Sequence, residues 1–222
     1  TTEGMGELDE LILAYAVAGF GPSRGTAHSA LGMIGGGDIE WRGGVEVDAD
    51  RSVSRGSFEF PEPIGRQRMV RYPAGEHVTV PRHVRVRNVR TMITASTAMP
   101  PLMGIAAPLV MPGVQLALRT PLRRLLDAAI GRLPDGPKPE SRRAVRFTIV
   151  CEATQGSRRR RGVIRGEDVY GLTARSIVAG ALRCADPGFS NAGALAPSQA
   201  FAPREFLPEL SGFGVEWEVA PA

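Results

Sequence analysis

Two short segments carry residue types that suit the binding of an anion or the polarisation of a carbonyl group. Residues 22–29 place a glycine, several hydroxyl side chains, an arginine and a histidine where a helix is predicted to begin. Residues 168–174 have a similar order, with an acidic residue, an aromatic residue, a glycine and then a helix. Free backbone amides and the helix dipole favour negative charge at such ends. The same residues also form ordinary helix caps, so the spacing alone leaves both interpretations open.

A third candidate segment contains two of the three histidines. His77 and His83 are six residues apart, and Arg82 precedes the second of them. We predict a strand here, which would place both histidines on one face, although Pro81 lies between them. Histidine is the usual general acid or base near neutral pH. A surface or hydrogen-bonded histidine is the alternative interpretation.

The elements around the first segment are a strand and a helix. Residues 8–17 form a nearly unbroken apolar run, which favours a buried strand. Apolar residues then recur at helical spacing up to the glycines 35–37, where the helix is predicted to stop (Ala27, Ala30, Leu31 and Ile34). Ser23 or Thr26 can cap this helix by accepting hydrogen bonds from its first amides.

Two further helices are predicted from apolar stripes, and we expect both stripes to face the core. The first helix has Thr120 as its cap and Pro121 at its first position, with a stripe of Leu122, Leu125, Leu126, Ala129 and Ile130. The second helix follows Gly171, and its predicted inner face contains Ala174, Ile177, Val178, Ala181 and Leu182. Both helices would therefore cover the sheet.

Short runs with alternating apolar and polar residues predict most of the sheet. They occupy much of 39–94, return at 145–164 around a turn at Gly156, and close the chain at 213–219. Helices inserted among such strands indicate an α+β domain. We predict one domain over residues 1–222, with a mixed, largely antiparallel sheet whose one face is covered by helices. Residues 1–7 are predicted to be a linker remnant.

The composition is that of a globular protein. Of the 222 residues, 43% are hydrophobic and 23% are charged, which argues against a fibrous, wholly disordered or membrane-embedded chain. The net charge of +4 comes almost entirely from arginine, since Lys138 is the single lysine. The densest cluster, residues 158–161, follows a turn signal, so we interpret it as a solvated hairpin and predict no nucleic-acid partner.

Several kinds of site are not predicted. The three histidines and two cysteines lack the spacing of a metal site, and we expect Cys151 and Cys184 to be buried free thiols. The chain contains no GxGxxG fingerprint between a strand and a helix, so it is not expected to bind a dinucleotide by itself. The polar N-terminus does not read as a signal peptide, and we predict a cytoplasmic protein.

Short motifs follow one another in a recognisable order between Leu8 and Val219. They comprise residues 15–20, 22–31, 60–63, 72–73, 79–83, 136–147, 170–174 and 195–201. This series resembles the region after the Rossmann domain in bacterial saccharopine dehydrogenase-like NAD(P)-dependent oxidoreductases, and more narrowly the branch called trans-acting enoyl reductases. The resemblance rests on the ordered series, because no single motif is decisive.

The resemblance implies a two-domain oxidoreductase that reduces an enoyl or imine group. NAD(P) would be bound by a Rossmann domain outside these residues, while this domain would bind a small-molecule or acyl substrate and form a homodimer through the sheet. The implied substrate contacts are Ser23, Arg24, Gly25, Thr26, Arg82, His83, Tyr170 and Thr173. Of these, Gly25 and Thr26 would also face the nicotinamide. The resemblance leaves the catalytic residue unassigned.

The alternative is a non-catalytic lipid- or partner-binding module that has lost its cofactor domain. The apolar, proline-broken stretch 99–118 is followed by Arg119, Arg123 and Arg124, and it could lie on a membrane surface. We favour a lid over the core or an acyl-binding wall for this stretch, because it is too interrupted to span a bilayer.

Overall fold

The computed structural model describes residues 1–35, 39–49, 55–98, 113, 120–132 and 134–220. The described strands are β1 (Leu8–Ala18), β2 (Ile39–Arg42), β3 (Val45–Asp48), β4 (Arg55–Glu59), β5 (Arg66–Arg71), β6 (Val86–Thr94), β7 (Arg146–Gln155), β8 (Arg158–Glu167) and β9 (Glu216–Val219). The described helices are α1 (Arg24–Gly35), α2 (Glu76–Thr79), α3 (Ala95–Ala98), α4 (Leu122–Gly131), α5 (Pro139–Arg143), α6 (Val169–Cys184), α7 (Pro197–Ala200) and α8 (Pro203–Ser211), and a 3₁₀ turn covers Val80–Arg82. The stretch 99–118, predicted as a lid or acyl-binding wall, lies almost entirely outside the described residues.

The described strands form one mixed, largely antiparallel sheet, which confirms the predicted fold class. Its main order is β3-β2-β6-β1-β7-β8-β9, and the β4–β5 hairpin joins it through β6. Only the β1–β6 pair is parallel among the described strand pairs. The β7–β8 hairpin turns at Gly156, whose φ of 56° lies in the left-handed region that glycine tolerates. The arginine cluster 158–161 is therefore part of a hairpin, as predicted.

Apolar side chains are buried on both faces of the sheet. On one face, Ala14, Ala16 and Val150 pack against Phe58, Phe60 and Met69 of the β4–β5 region. On the other face, Leu11 packs against Val80 of the 3₁₀ turn, while Phe147 packs against Leu210 of α8. The helical elements thus cover one face, as predicted, and a β-hairpin region covers the other.

The sheet topology brings several loops to the same edge. β1 is parallel to β6 and antiparallel to β7, which is in turn antiparallel to β8. The carboxyl ends of β1, β6 and β8 therefore lie at one edge of the sheet. Because α1 follows β1 and α6 follows β8, both helices begin at this edge.

The predicted orientation of α6 is wrong. Ile177, Val178 and Leu182 are 66%, 57% and 69% exposed. The face that packs against the domain is the one with Leu172, Ser176, Ala179, Gly180 and Arg183, all of them half-buried. The Phe201 ring lies against this face, since a Cβ added at Gly180 would be in ordinary contact with it at 3.5 Å. The periodicity predicted the helix correctly but not the face that packs.

The predicted burial of the α4 stripe is also wrong. The helix begins as expected after Thr120 and Pro121, with the Leu122 amide 3.3 Å from the Thr120 hydroxyl. However, Leu125 is 67% exposed, and Leu122 and Leu126 are also exposed. Cys184, predicted to be buried, is exposed as well, whereas Cys151 is half-buried, and both thiols are free.

Residues 1–7 contact the rest of the domain. Met5 packs against the apolar cluster that contains Leu8 and Leu11. Arg160 donates a hydrogen bond to the Thr1 carbonyl at 3.3 Å, and Arg204 pairs with the carboxylate of Glu3. This segment is thus placed by side-chain contacts with β8 and α8.

Candidate functional site

The beginning of α1 is capped by Ser23, as predicted. The Ser23 hydroxyl accepts a hydrogen bond from the Thr26 amide at 3.1 Å, and the Ser23 carbonyl accepts one from the Ala27 amide at 2.9 Å. The Gly25 amide makes no hydrogen bond with the residues that the structure describes. It therefore remains a donor at the positive end of the helix dipole.

The beginning of α6 is capped by Asp168, which has an unusual backbone conformation. Its φ of 48° and ψ of 65° place it in the left-handed region, where aspartate is one of the few side chains found regularly. In this conformation its carboxylate accepts a hydrogen bond from the Gly171 amide at 2.9 Å. A side chain at Gly171 would collide with this carboxylate, so glycine is required there.

The two helix beginnings meet at the hydroxyl of Tyr170. This hydroxyl accepts a hydrogen bond from the Ser23 amide at 2.7 Å and lies 3.1 Å from the hydroxyl of Thr26. Tyr170 also donates to the Gly21 carbonyl at 3.2 Å, and its ring stacks on Phe20 with centroids 5.9 Å apart. The two segments singled out in the sequence are thus joined directly.

The hydroxyl groups of this cluster form a directed chain of hydrogen bonds. Tyr170 has one proton, which it donates to Gly21, so the Thr26 hydroxyl donates to Tyr170. Ser23 then donates to the Thr26 oxygen across 2.9 Å. Every hydroxyl proton of the cluster has an acceptor, so the three side chains hold one another in place. We call Ser23, Gly25, Thr26 and Tyr170 the helix-start cluster.

The loop that contains Asp135, Gly136 and Pro137 lies beside the helix-start cluster, although none of its residues was predicted to belong to the site. The Arg24 guanidinium is 2.8 Å from the carboxylate of Asp135, which is largely exposed. A Cβ added at Gly136 would lie 3.8 Å from the Ser23 Cβ, and one added at Gly21 would lie 3.7 Å from Pro137. The proline and glycine content of this loop predicted a turn, but nothing in the local pattern indicated what it would contact.

Three of the predicted site residues make their observed contacts elsewhere. Thr173 donates to the Val169 carbonyl of its own helix at 2.8 Å. Arg82 donates to the Ala194 carbonyl at 2.6 Å, and the ring of His83 lies 2.9 Å from the Thr79 carbonyl. In these contacts the three residues are held by other segments and not by the helix-start cluster.

The strand predicted around His77 and His83 is wrong. Residues 76–79 form α2, and the 3₁₀ turn follows directly. Pro81 explains the difference, because its fixed φ suits the start of a helical turn and it lacks the amide that a strand would use. His77 is buried, 4% exposed, and contacts Thr91, whereas His83 is exposed. The two histidines therefore do not share a strand face.

Residues 21–25 also match the G-x-S-x-G pattern that surrounds the nucleophile of many hydrolases. Such a nucleophile needs a histidine to accept its proton. The three histidines contact Asp127, Thr91 and Thr79, and the Ser23 hydroxyl contacts only Thr26 among the described hydrogen bonds. Ser23 is therefore a helix cap in this structure, not an activated nucleophile.

We expect Asp168→Ala to lower the free energy of unfolding by about 2 kcal/mol, because it removes a helix cap and places alanine in the left-handed region. Asp168→Asn keeps the side-chain acceptor and tolerates this conformation, so its effect should stay below about 1 kcal/mol. Urea unfolding followed by circular dichroism measures both. If both variants lose the same free energy of unfolding, the effect comes from the negative charge of Asp168, which lies 3.8 Å from Arg142.

A second polar cluster lies under the sheet next to α2. The Tyr15 hydroxyl donates to Glu76 Oε1 at 2.5 Å, and the rings of Tyr15 and Tyr72 meet edge to face at 5.7 Å. Burial raises the pKa of Tyr15 far above its ordinary value, and the negative charge of Glu76 acts in the same direction. The pKa of Tyr72 is raised by the same two causes.

This cluster predicts a loss of stability at alkaline pH. Above about pH 10 the unfolded chain ionises Tyr15, whereas the folded protein keeps the proton, so the free energy of unfolding falls by about 1.4 kcal/mol per pH unit. Tyr15→Phe should remove that contribution from the slope and leave the pH dependence below about pH 9 unchanged. Urea midpoints measured across this range test it, and an unaltered alkaline slope in Tyr15→Phe would contradict it. Basic side chains contribute little to the alkaline slope, because the chain has a single lysine and arginine stays charged.

The described residues contain neither a candidate metal site nor a candidate membrane-spanning helix. They contain no group of three or more histidine, cysteine, aspartate or glutamate side chains arranged to hold a metal ion. Within the same residues, no helix combines the length and the apolar character needed to cross a bilayer.

The comparisons with known proteins neither support nor oppose the resemblance. No protein-family model matches the chain, and no curated protein is significantly similar to it. The assignment of a function therefore depends on the helix-start cluster and on the ordered motifs of the sequence.

Proposed function

We propose that this domain is the substrate-binding and dimerisation domain of a cytoplasmic saccharopine dehydrogenase-like reductase that acts on an enoyl or imine group. The observation that carries the proposal is the hydrogen bond from the Ser23 amide to the Tyr170 hydroxyl. It joins two helix beginnings at the edge where β1 and β8 end. Ligands in open sheets often bind beyond the carboxyl ends of parallel strands.

The chemistry that these residues offer is the polarisation of a carbonyl. The Gly25 amide, at the positive end of α1, can donate to a substrate oxygen, and the Thr26 hydroxyl can rotate from Tyr170 toward the same atom. The Gly25 amide is a fixed donor, and a donor of this kind stabilises developing negative charge without reorganising during the reaction. Tyr170 is a positioning residue, because it acts by holding Ser23 and Thr26.

NAD(P) would supply the hydride when it is bound by a Rossmann domain outside these residues. The Gly25 amide fits a carboxamide or carbonyl oxygen, while the chain offers no glycine-rich fingerprint for the pyrophosphate. Arg24 is held by Asp135, so a carboxylate or phosphate of the substrate would have to compete with that ion pair.

The proposal is tested on the protein encoded by the full reading frame. We expect calorimetry to detect binding of NADPH or NADH, and we expect NADPH or NADH fluorescence to fall when an enoyl thioester or an imine is added. Gly25→Pro, which removes the candidate amide, should abolish turnover while nucleotide binding persists. Gly75→Pro provides a matched control at another helix start, where the added side chain meets nothing within 4 Å. Failure of the full-length protein to bind either nucleotide would refute the proposal.

A homodimer through the sheet would use one of its edge strands. β9 is the last strand at one edge of the sheet among the described residues, and all four of its residues are exposed, including Trp217 and Val219. Unpaired edge strands are natural sites for pairing with another chain. Light scattering of the purified protein measures the assembly state, and Trp217→Glu should shift it toward the monomer if β9 forms the interface.

The second candidate function is a non-catalytic module that binds an anionic lipid surface. The observation in its favour is α4, whose apolar stripe is exposed beside Arg123 and Arg124. Basic helices with one apolar face bind membrane interfaces. Flotation with phosphatidylserine vesicles tests it, with Leu125→Glu expected to abolish binding. No flotation of the wild-type protein would exclude this candidate.

A further inference from the structure

A cavity of about 350 Å³ lies on the opposite part of the sheet from the helix-start cluster. β2 and β5 both pair with β6 on the side not taken by β1, and the cavity lies between them. Its lining follows β6 from Asn88 to Met92 and includes Glu10 of β1, and it contains no residue of the helix-start cluster. The cavity is therefore distinct from the proposed reductase site.

The walls of the cavity combine an apolar floor with charged side chains. Trp41 and Met92, both half-buried, contribute apolar surface to the lining. The charged lining consists of three guanidinium groups and two carboxylates (Arg42, Arg71, Arg90, Glu10 and Glu40). The lining thus has one positive charge in excess.

The charged side chains are arranged as two groups. Glu40, 14% exposed, accepts from Arg71 at 2.9 Å and also pairs with Arg42. Arg90 lies 3.5 Å from Glu10, and its side chain is half exposed. Two arginines with solvent-accessible side chains, Arg42 and Arg90, can therefore turn to a ligand while the more buried Arg71–Glu40 pair stays in place.

Two polar residues of the cavity lining, His77 and Thr91, are fixed by hydrogen bonds. The Thr91 hydroxyl donates its proton to the Tyr72 carbonyl, so it accepts at its 2.8 Å contact with His77 Nε2. His77 therefore carries a proton on Nε2. Both side chains are buried, 4% exposed for His77 and 2% for Thr91, so they are held rigidly.

We propose that this cavity binds a small organic acid, with its carboxylate at Arg42 and Arg90 and its apolar body against Trp41 and Met92. A carboxylate neutralises the excess positive charge, and guanidinium groups bind carboxylates through paired hydrogen bonds. The volume is at the lower end of the range for ligand pockets, which selects a compact ligand. The site is independent of the proposed reductase function.

The two tryptophans of the chain provide an internal control for the test. The Trp41 indole lines the cavity and donates to the Val86 carbonyl at 2.8 Å, while Trp217 lies on the edge strand β9. In ¹⁵N-labelled protein, titration with benzoate should shift the Trp41 indole signal saturably and leave the Trp217 signal unchanged. Trp217→Phe assigns the two signals.

Benzamide, the neutral counterpart of benzoate, should bind at least about tenfold more weakly, because it lacks the charge. Arg90→Gln should weaken benzoate binding by about tenfold for the same reason. Arg87→Gln is the matched control, since Arg87 lies on the same strand and pairs with Glu7 at 3.4 Å outside the cavity lining. The affinity of the Arg87→Gln variant for benzoate should equal that of the wild-type protein.

Three results would overturn the proposal: no saturable Trp41 shift with benzoate, equal affinity for benzamide, or wild-type affinity in Arg90→Gln. A shift caused by inorganic phosphate without one caused by benzoate would also overturn it, since the apolar floor would then have no part in binding. Thermal unfolding of each variant establishes that it is folded before the titration.

Discussion

For the proposed reductase activity, measured on the full-length protein, Tyr170→Phe is expected to lower kcat/KM by about a hundredfold, the size of effect that follows when a reacting group is displaced by about 1 Å. The substitution removes the hydroxyl that binds the Ser23 amide and the Thr26 hydroxyl. It retains the ring that stacks on Phe20. The helix beginnings should therefore stay folded while Gly25 and Thr26 lose their fixed geometry.

The matched control for this prediction is Tyr72→Phe. Tyr72 lies in the second polar cluster, where its ring contacts Tyr15. The Tyr72→Phe substitution should therefore leave kcat/KM unchanged. A loss in Tyr170→Phe that falls on kcat, with KM nearly unchanged, would indicate lost transition-state stabilisation. Full kcat/KM in Tyr170→Phe would contradict the role given to the helix-start cluster.

Gly166→Ala is expected to lower the free energy of unfolding by about 2 kcal/mol, because the added methyl group displaces the Phe147 ring from its packing. Gly166 is paired with Phe147 across β7 and β8. A Cβ at this position would lie 2.6 Å from the Phe147 ring, which is 6% exposed and packs against Leu210 and Val215.

Gly56→Ala is the matched control. Gly56 also lies in a strand, β4, but a Cβ there meets no atom within 4 Å. Alanine should be neutral or slightly stabilising at that position, since it reduces the freedom of the unfolded chain. Urea unfolding of the two variants compares them directly. Equal stabilities would show that Phe147 adapts at little cost.

Gly166 also connects the core to the candidate site. The strand that contains it continues into Asp168, whose amide donates to the Val145 carbonyl at 3.2 Å. Displacement of Phe147 would therefore be transmitted to the cap of α6. We expect Gly166→Ala to affect activity as well as stability, whereas Gly56→Ala should affect neither.

Local sequence patterns determined most of the elements. The alternation of apolar and polar residues predicted strands, and the series Ala27, Ala30 and Leu31 predicted α1, with Ser23 or Thr26 as its cap. These patterns succeed because hydrogen bonding within a helix turn and side-chain alternation along a strand depend on neighbours in sequence. The two helix beginnings were recognised for the same reason, since capping is a local interaction.

Local patterns failed where a distant partner decided the outcome. The apolar stripe of α6 with Ile177 and Leu182 indicated the wrong face, because the opposite face, with Gly180, lies against Phe201 from a distant part of the chain. α8 was not predicted, although Leu210 completes the cluster around Phe147. The strand expected at His77 was replaced by helical turns because Pro81 cannot supply a strand amide.

The sequence by itself determined that two capped helices begin with groups able to bind an anion or a carbonyl. Only the tertiary structure decided that these beginnings meet, through the parallel course of β1 and β8 and the hydroxyl of Tyr170. It also decided the position of the cavity between β2 and β5. The physical reason is that both features are formed by residues far apart in the chain, and no local periodicity records which strands will become neighbours.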